Sequence, residues 1–458
     1  MSAPRVVVVG AGPAGARAAE TLARHGLFPV VIDEAPQSGG QIYRRPPAGF
    51  RRPAAALYGF EAAKARRLHA AFDALADAID YRPETLVWNL SRGVAHTLRD
   101  GQTDELAFDA LILATGAMDR IVPFPGWTTP GVFTLGGAQV ALKHQGCAVG
   151  RRVAFAGAGP LLYLVAYQYL KAGAALAAVI DSAPLSAKVR ALPGLCTGGA
   201  TFAKGLWYAG RLRARGVRIV SGAVPLAALG DSRVTGLRYR ERRDRVGEVA
   251  CDAVATGYGL KPESQLADLA GCRFAFDARA GQWLPESDRD GRSGVAGVYL
   301  AGDGARIAGA DAAEARGELA ALALLSDLGR AVPAARVAAL RRRLRRLGRF
   351  RAALEAAFPH PRGLAAALPN ETLLCRCEAI TAGELRAAAR LSGASEINRA
   401  KAASRVGMGR CQGRICGLAA AEVLAATCDA ALESVGRLRG QAPVKPAPLP
   451  LEPTARAR

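Results

Sequence analysis

One pattern, a short apolar strand running through a glycine turn into a helix, occurs twice in this chain, and it limits the fold more than any other feature. The first copy is a run of four valines, Val6 to Val9, then Gly10-Ala-Gly12-Pro-Ala-Gly15, then an alanine-rich helix from Ala16 to His25 stopped by Gly26. The second copy begins about 147 positions later, in "VAFAGAGPLLYLVAYQYLKAGA". A G-x-G-x-x-G motif alone is weak, but between a strand and a helix it marks a dinucleotide-binding unit. Gly10 permits the tight turn, Gly12 lets the backbone approach a pyrophosphate, and Gly15 allows close helix–strand packing. The helix N-terminus then faces the phosphates. An interval this long is no solenoid repeat. It predicts an α/β chain with two Rossmann-like dinucleotide-binding domains.

Each copy is followed by a second strand that ends in an acidic residue. Asp33 closes the first one, and Glu34 is its neighbour. A carboxylate there accepts hydrogen bonds from ribose hydroxyls, and strand alternation does not separate the two. The sequence "LAGDG" at 300–304 resembles the Gly-Asp segment of flavoprotein folds of this layout, which implies a flavin at the first site with Gly302 and Asp303 at the ribityl chain of FAD. An N-cap role for Asp303 is the plain alternative. The second copy keeps Gly157 and Gly159 but has Leu162 at the third glycine position, and Asp181 closes its second strand. NAD, another adenine nucleotide and a structural relic all remain open there. Asp181 disfavours a 2′-phosphate, so NAD is preferred over NADP.

The order of strands predicts that the second domain is inserted in the first. Residues 1–120 and 256–330 make the FAD-binding domain, and 121–255 the second nucleotide-binding domain. Residues 331–369 read as a helical linker. Residues 370–432 read as a small helical cysteine module, and the Pro-rich stretch 433–458 as a disordered tail.

Four cysteines give that module its chemistry. Cys375 and Cys377 form C-x-C; Cys411 and Cys416 form C-x4-C. Four thiolates suit a [2Fe–2S] cluster, whose two irons each take two sulfur ligands; structural zinc is the alternative. The i, i+2 pair needs extended or looped backbone, followed by a helix capped by Thr381 with Glu384. Lys401, Arg405, Arg410 and Arg414 bring positive charge. Cys147, Cys196, Cys251, Cys272 and Cys428 are isolated and read as small buried apolar residues. No C-x-x-C pair is placed to face the flavin, which argues against a disulfide reductase. The five histidines form no catalytic constellation and read as surface or helix-end residues.

The net charge is +22, yet the arginines are spread through alanine-rich helices such as 341–354, and aromatic residues are few. Nucleic acid is not expected as a partner. Attraction to anionic nucleotides or to an acidic subunit is the reading left. No run of eighteen uncharged apolar residues occurs, so no membrane span is expected, and no signal peptide is visible. A cytoplasmic location is expected, with membrane association through a complex.

The stretches "GAGPAGARAAETLARHG", "VVIDEAPQSGGQIYRR", "ATGAMDRIVPFPGW", "GAGPLL", "GDGARIAGADAA" and "CRCE…GMGRCQG" together resemble one group. They are similar to the alpha subunits of D-hydroxyproline or proline dehydrogenases, opine oxidases and hydrogen cyanide synthase, with a bacterioferritin-associated-ferredoxin-like [2Fe–2S] domain. The resemblance implies FAD contacts at Pro13, Ala14, Gly40, Gln41, Val87, Ala114, Thr115 and Gly116. It leaves FMN at a subunit interface as a further cofactor. It also implies a flavoprotein beta subunit that oxidises a carbon–nitrogen bond, a small third subunit, and an electron acceptor such as a quinone. On that basis this chain carries electrons onward, most specifically in a D-hydroxyproline dehydrogenase. Opine oxidase, hydrogen cyanide synthase and a stand-alone NAD(P)H-dependent flavin reductase are the alternatives.

Overall fold

A computed structural model describes residues 4–47, 49–50 and 52–447. Two five-stranded sheets organise it. In the first, the order in space is Val298–Leu300, Ala110–Leu113, Val6–Val9, Val30–Ile32 and Asp80–Arg82, and every neighbour is parallel. Apart from the edge strand Asp80–Arg82, these strands are near-continuous apolar runs, as sheets covered on both faces require. In the second sheet the order is Ile219–Ser221, Ala175–Asp181, Arg152–Gly157, Ala253–Gly257 and Val132–Thr134, again all parallel. The strand Val298–Leu300 completes the first sheet only after the second has been built. One sheet is therefore inserted within the other. The chain crosses back later than position 255, because Thr256 and Gly257 still pair in the second sheet. The antiparallel pair Ala117–Asp119 and Leu260–Pro262 carries the two crossings.

The helix Pro13–Arg24 packs along Ala310–Asp327. Their contact is backbone to backbone: a Cβ on Gly317 would come within 1.9 Å of the Ala14 carbonyl oxygen. Small residues dominate this core, with Ala18, Ala19, Ala320 and Ala321 inaccessible to solvent. The arginine-rich stretch forms one long helix, Ala334–Ala357. It lies on Leu185–Cys196 of the second domain, where Gly194 meets Ala353 and Gly198 meets Phe350.

The cysteine module consists of the hairpin Leu373–Cys375 and Ile380–Thr381 with helices Ala382–Ser392, Ile397–Ser404 and Gly417–Thr427. Thr381 and Glu384 form the expected capping box. The segment after 432 departs from expectation. Residues 433–447 are packed, whereas 448–458 lie outside the described residues. Val435 and Val444 are buried, Arg437 makes a bidentate ion pair with Asp268, and Val444 N–H bonds the Trp88 carbonyl. Periodicity does not reveal such a segment, because single anchors at 435, 437 and 444 hold it.

Candidate cofactor sites

The first glycine turn is built by close approach. A Cβ on Gly10 would lie 2.4 Å from the Ala114 carbonyl oxygen, and one on Gly15 would lie 1.7 Å from the Gly10 carbonyl oxygen. The loop that carries Gly40 and Gln41 folds over this turn, with Gly39 N–H donating to the Ala11 carbonyl at 2.9 Å. A Cβ on Gly40 would meet Gly12 Cα at 2.9 Å. Three separate segments thus leave a cradle lined by bare backbone, the form a pyrophosphate needs. Pro13 occupies the first helical position, where its missing N–H costs nothing. Thr115 and Gly116 end the neighbouring strand and bond to Glu263. The Val87 side chain is buried in the core beneath the sheet, which leaves only its backbone for a ligand.

The two acidic candidates have different surroundings. Asp33 accepts from Ala11 N–H and Ala35 N–H at 2.5 and 2.7 Å, which ties it to the turn itself. Burial raises its pKa against those two hydrogen bonds, which lower it. Glu34 is exposed and pairs with Lys445 of the C-terminal segment. Asp303 behaves partly as a cap: its Oδ1 accepts from Ala308 N–H at 2.8 Å and Gly309 N–H at 3.2 Å. Its other oxygen makes no hydrogen bond among the described residues. Asp303 starts the connection to the helix Ala310–Asp327.

The second glycine turn has a different environment. Asp181, expected at a ribose, is fully buried instead. It accepts from the Lys188 ammonium, from Tyr163 O–H at 2.5 Å and from Ala183 N–H at 2.9 Å. Lys188 also lies over the rings of Tyr163 and Phe358. The side chain that sequence reasoning assigns to a nucleotide is thus neutralised from within, by a lysine seven residues on that no motif marks. Gly159 of this turn faces open space, outside the carboxyl ends of the strands where ligands of parallel α/β sheets bind, and the cysteine module packs beside the turn. Ala158 of the turn, Val122 and Tyr258 share one apolar core with the cysteine module. Trp127 Nε1–H donates to the Leu373 carbonyl at 2.6 Å.

In the module the sulfurs meet in two pairs. Cys375 and Cys416 are hydrogen-bonded partners, as are Cys377 and Cys411. Among the described residues no three His, Cys, Asp or Glu side chains close on a single point. The pairs also face each other, Cys416 toward Cys411 and Cys377 toward Cys375, and two pairs of thiols fit a binuclear centre in which each iron takes two protein sulfurs. The Cys375 thiol is pulled down to about 5, first by its bond with Cys416, then by the amides of Gly407, Glu378 and Cys377. Such N–H donors stabilise sulfur-borne negative charge. The four expected cations divide: Arg405 pairs with Glu378, Arg414 faces Glu263 at 3.7 Å, Lys401 is buried beside Gln441, and Arg410 is exposed.

A buried cluster that sequence reasoning missed pins the module down. His360 Nε2 lies 2.9 Å from Glu422, and Arg120 lies 3.8 Å from the same carboxylate. Arg120 is almost inaccessible, and burial lowers its pKa to about 10. The sequence points to a surface or helix-end position for His360; its ring is instead covered because it must reach Glu422. Of the five isolated cysteines, Cys251 and Cys272 are buried, Cys428 is intermediate, and Cys147 and Cys196 are exposed, contrary to expectation. No helix of the described residues is long and apolar enough to cross a membrane.

Two dinucleotide folds with a cysteine module seated on the second define a flavin-dependent oxidoreductase with a [2Fe–2S] domain. The chain belongs to the pyridine nucleotide-disulphide oxidoreductase family, whose model matches residues 4–317, and residues 373–426 match the BFD-like [2Fe-2S] binding domain. Its cofactors are accordingly FAD and [2Fe–2S]. It is 37% identical to one of the opine oxidase subunits of Rhizobium meliloti, over 96% of this chain and 85% of the relative. It is 34% identical to the hydrogen cyanide synthase component HcnB of Pseudomonas aeruginosa, over 97% of both. Its fold matches that of an L-proline dehydrogenase from P. horikoshii, with a TM-score of 0.73, 19% identity, and coverage of 97% of this chain and 78% of the other.

Proposed function

We propose that this chain is the electron-transferring subunit of a heteromeric dehydrogenase that oxidises the carbon–nitrogen bond of an amino acid or amine. One observation carries this: Lys188 neutralises Asp181 at the second dinucleotide unit, so a nicotinamide donor lacks the ribose partner that the motif would supply, while the cysteine module packs beside the same turn. Electrons then have to arrive from another protein. The relatives named as subunits of an opine oxidase and a hydrogen cyanide synthase support a partner, here a flavoprotein beta subunit, with a small third subunit as a further component.

When bound, FAD would take up electrons in pairs and release them singly, and a [2Fe–2S] cluster would accept them one at a time. On this reading Gly10, Gly12, Gly15, Gly40 and Gln41 hold the pyrophosphate of FAD. Glu34 moves from Lys445 to the ribose, and Asp33 keeps the turn in shape. Asp303 Oδ2 meets the ribityl chain. Cys375 with Cys416, and Cys377 with Cys411, each take one iron. A quinone is the proposed final acceptor.

D-hydroxyproline is the proposed substrate, because the combined motif set resembles that group. The test is to purify the chain alone and with a co-expressed beta subunit, and to follow D-hydroxyproline oxidation. The complex oxidises it and the lone chain does not. Full oxidation by the isolated chain would contradict the assignment.

A further inference from the structure

Where the flavin domain meets the cysteine module, the chain leaves a cavity of about 100 Å³. One water needs roughly 10–15 Å³ of such space, so the cavity has room for several waters or for one small ring. One wall is aromatic, with Phe276 and Trp283 in edge contact at 5.9 Å. The opposite wall is the cysteine loop itself, through Gln412 and Arg414, which stand between Cys411 and Cys416. Lys261 enters from the crossing strand Leu260–Pro262. The residue is half-buried, and its ammonium makes no ion pair or hydrogen bond among the described residues. Burial lowers its pKa, against the attraction of Glu263 and Cys416.

Three polar atoms on lining residues are buried without a partner among the described residues: Trp283 Nε1, Gln265 Oε1 and Gln412 Oε1. Each costs free energy while it stays unpaired. Two of the four unpaired groups donate and two accept. A half-buried, unpaired cation beside an aromatic wall suits a flat ring bearing a strongly accepting oxygen. Two donors suit the carbonyl oxygens of a quinone, and two acceptors suit the hydroxyls of the quinol it becomes.

We propose that this cavity is the acceptor site and binds the ring of a small quinone, with the Lys261 ammonium donating to one carbonyl oxygen and Trp283 forming the wall. The inference rests on the electron-transfer role proposed above and gives that role an exit. One quinone takes two electrons from the substrate-reduced holoprotein and two protons from solvent, leaving one quinol. The site lies against the cysteine loop, so no long path separates it from the proposed cluster. The strongly basic surface, at +22 overall, also favours contact with an anionic membrane surface, where quinones reside.

The test uses the cofactor-loaded complex and a short-chain benzoquinone, with flavin and cluster absorbance confirming that each variant is intact. Quinone should quench tryptophan fluorescence saturably in the wild type, and W283F should remove the saturable part. K261M should weaken quinone binding about tenfold or more, the loss expected for a charge-assisted hydrogen bond, and K261R should recover most of it. The fall in quinone reduction in K261M should exceed any fall in ferricyanide reduction at least fivefold. Equal quenching and equal quinone reduction in wild type, W283F and K261M would overturn the site. So would a wild type that reduces ferricyanide with substrate yet shows no saturable quinone binding; in that case the electron-transfer role survives. Failure to reduce either acceptor would remove the role itself and the site with it.

Discussion

Single carboxylates decide how the two dinucleotide units differ. Asp33 and Asp181 close equivalent strands, yet one braces a glycine turn and the other is locked to a lysine. Replacing Asp181 by leucine leaves the half-buried Lys188 ammonium and the Tyr163 hydroxyl without their partner, a loss worth about 1–3 kcal/mol. Chemical denaturation of D181L should show a loss of that order, with D181N losing less because the amide keeps the Tyr163 bond. His360 gives a pH dependence. Burial holds its imidazole below the usual 6.5, the larger effect, against the bond to Glu422, which raises it. The folded state therefore favours the neutral ring. The stability this contributes is fully present above about pH 6.5 and is lost as pH falls through the lower folded value. A thermal-melt series from pH 7.5 to 5 should fall more steeply for the wild type than for H360Q, which cannot take up the proton.

The elements most legible in the sequence are those whose local chemistry fixes them. The valine strand, the glycine turns and the Thr381–Glu384 cap are set by steric and hydrogen-bonding needs within a few residues. Contacts made at a distance were not legible. Lys188 and Glu422 belong to no motif, Arg120 lies in one that says nothing of its partner, and the groups they pair with lie on other elements. The C-terminal segment is anchored by isolated residues, so its composition reads as disorder. The glycine cradle and the cysteine loop make separable predictions. G15A forces a Cβ into the Gly10 carbonyl, so purified protein should lose its flavin absorbance. C416S should lose the cluster's absorbance and keep the flavin, because Cys416 lies outside the first glycine cradle. A C416S protein that retained a full complement of iron would contradict the assigned ligand pairs.

At the scale of the whole molecule, the inserted second domain is read as a socket. It keeps the sheet and turn of a dinucleotide unit, and the cysteine module packs beside that turn. The apolar core shared by Ala158, Tyr258 and the module, the Trp127 hydrogen bond and the Arg120–Glu422–His360 group all join across that one face. Electrons on this account enter from a partner protein and leave beside the module. Anaerobic mixing of the FAD-loaded protein with NADH or NADPH, followed by flavin absorbance, tests this most directly. The account predicts no bleaching on the turnover timescale with either nucleotide, and prompt bleaching once the partner protein and its substrate are added. Rapid bleaching by NADH or NADPH alone would contradict it.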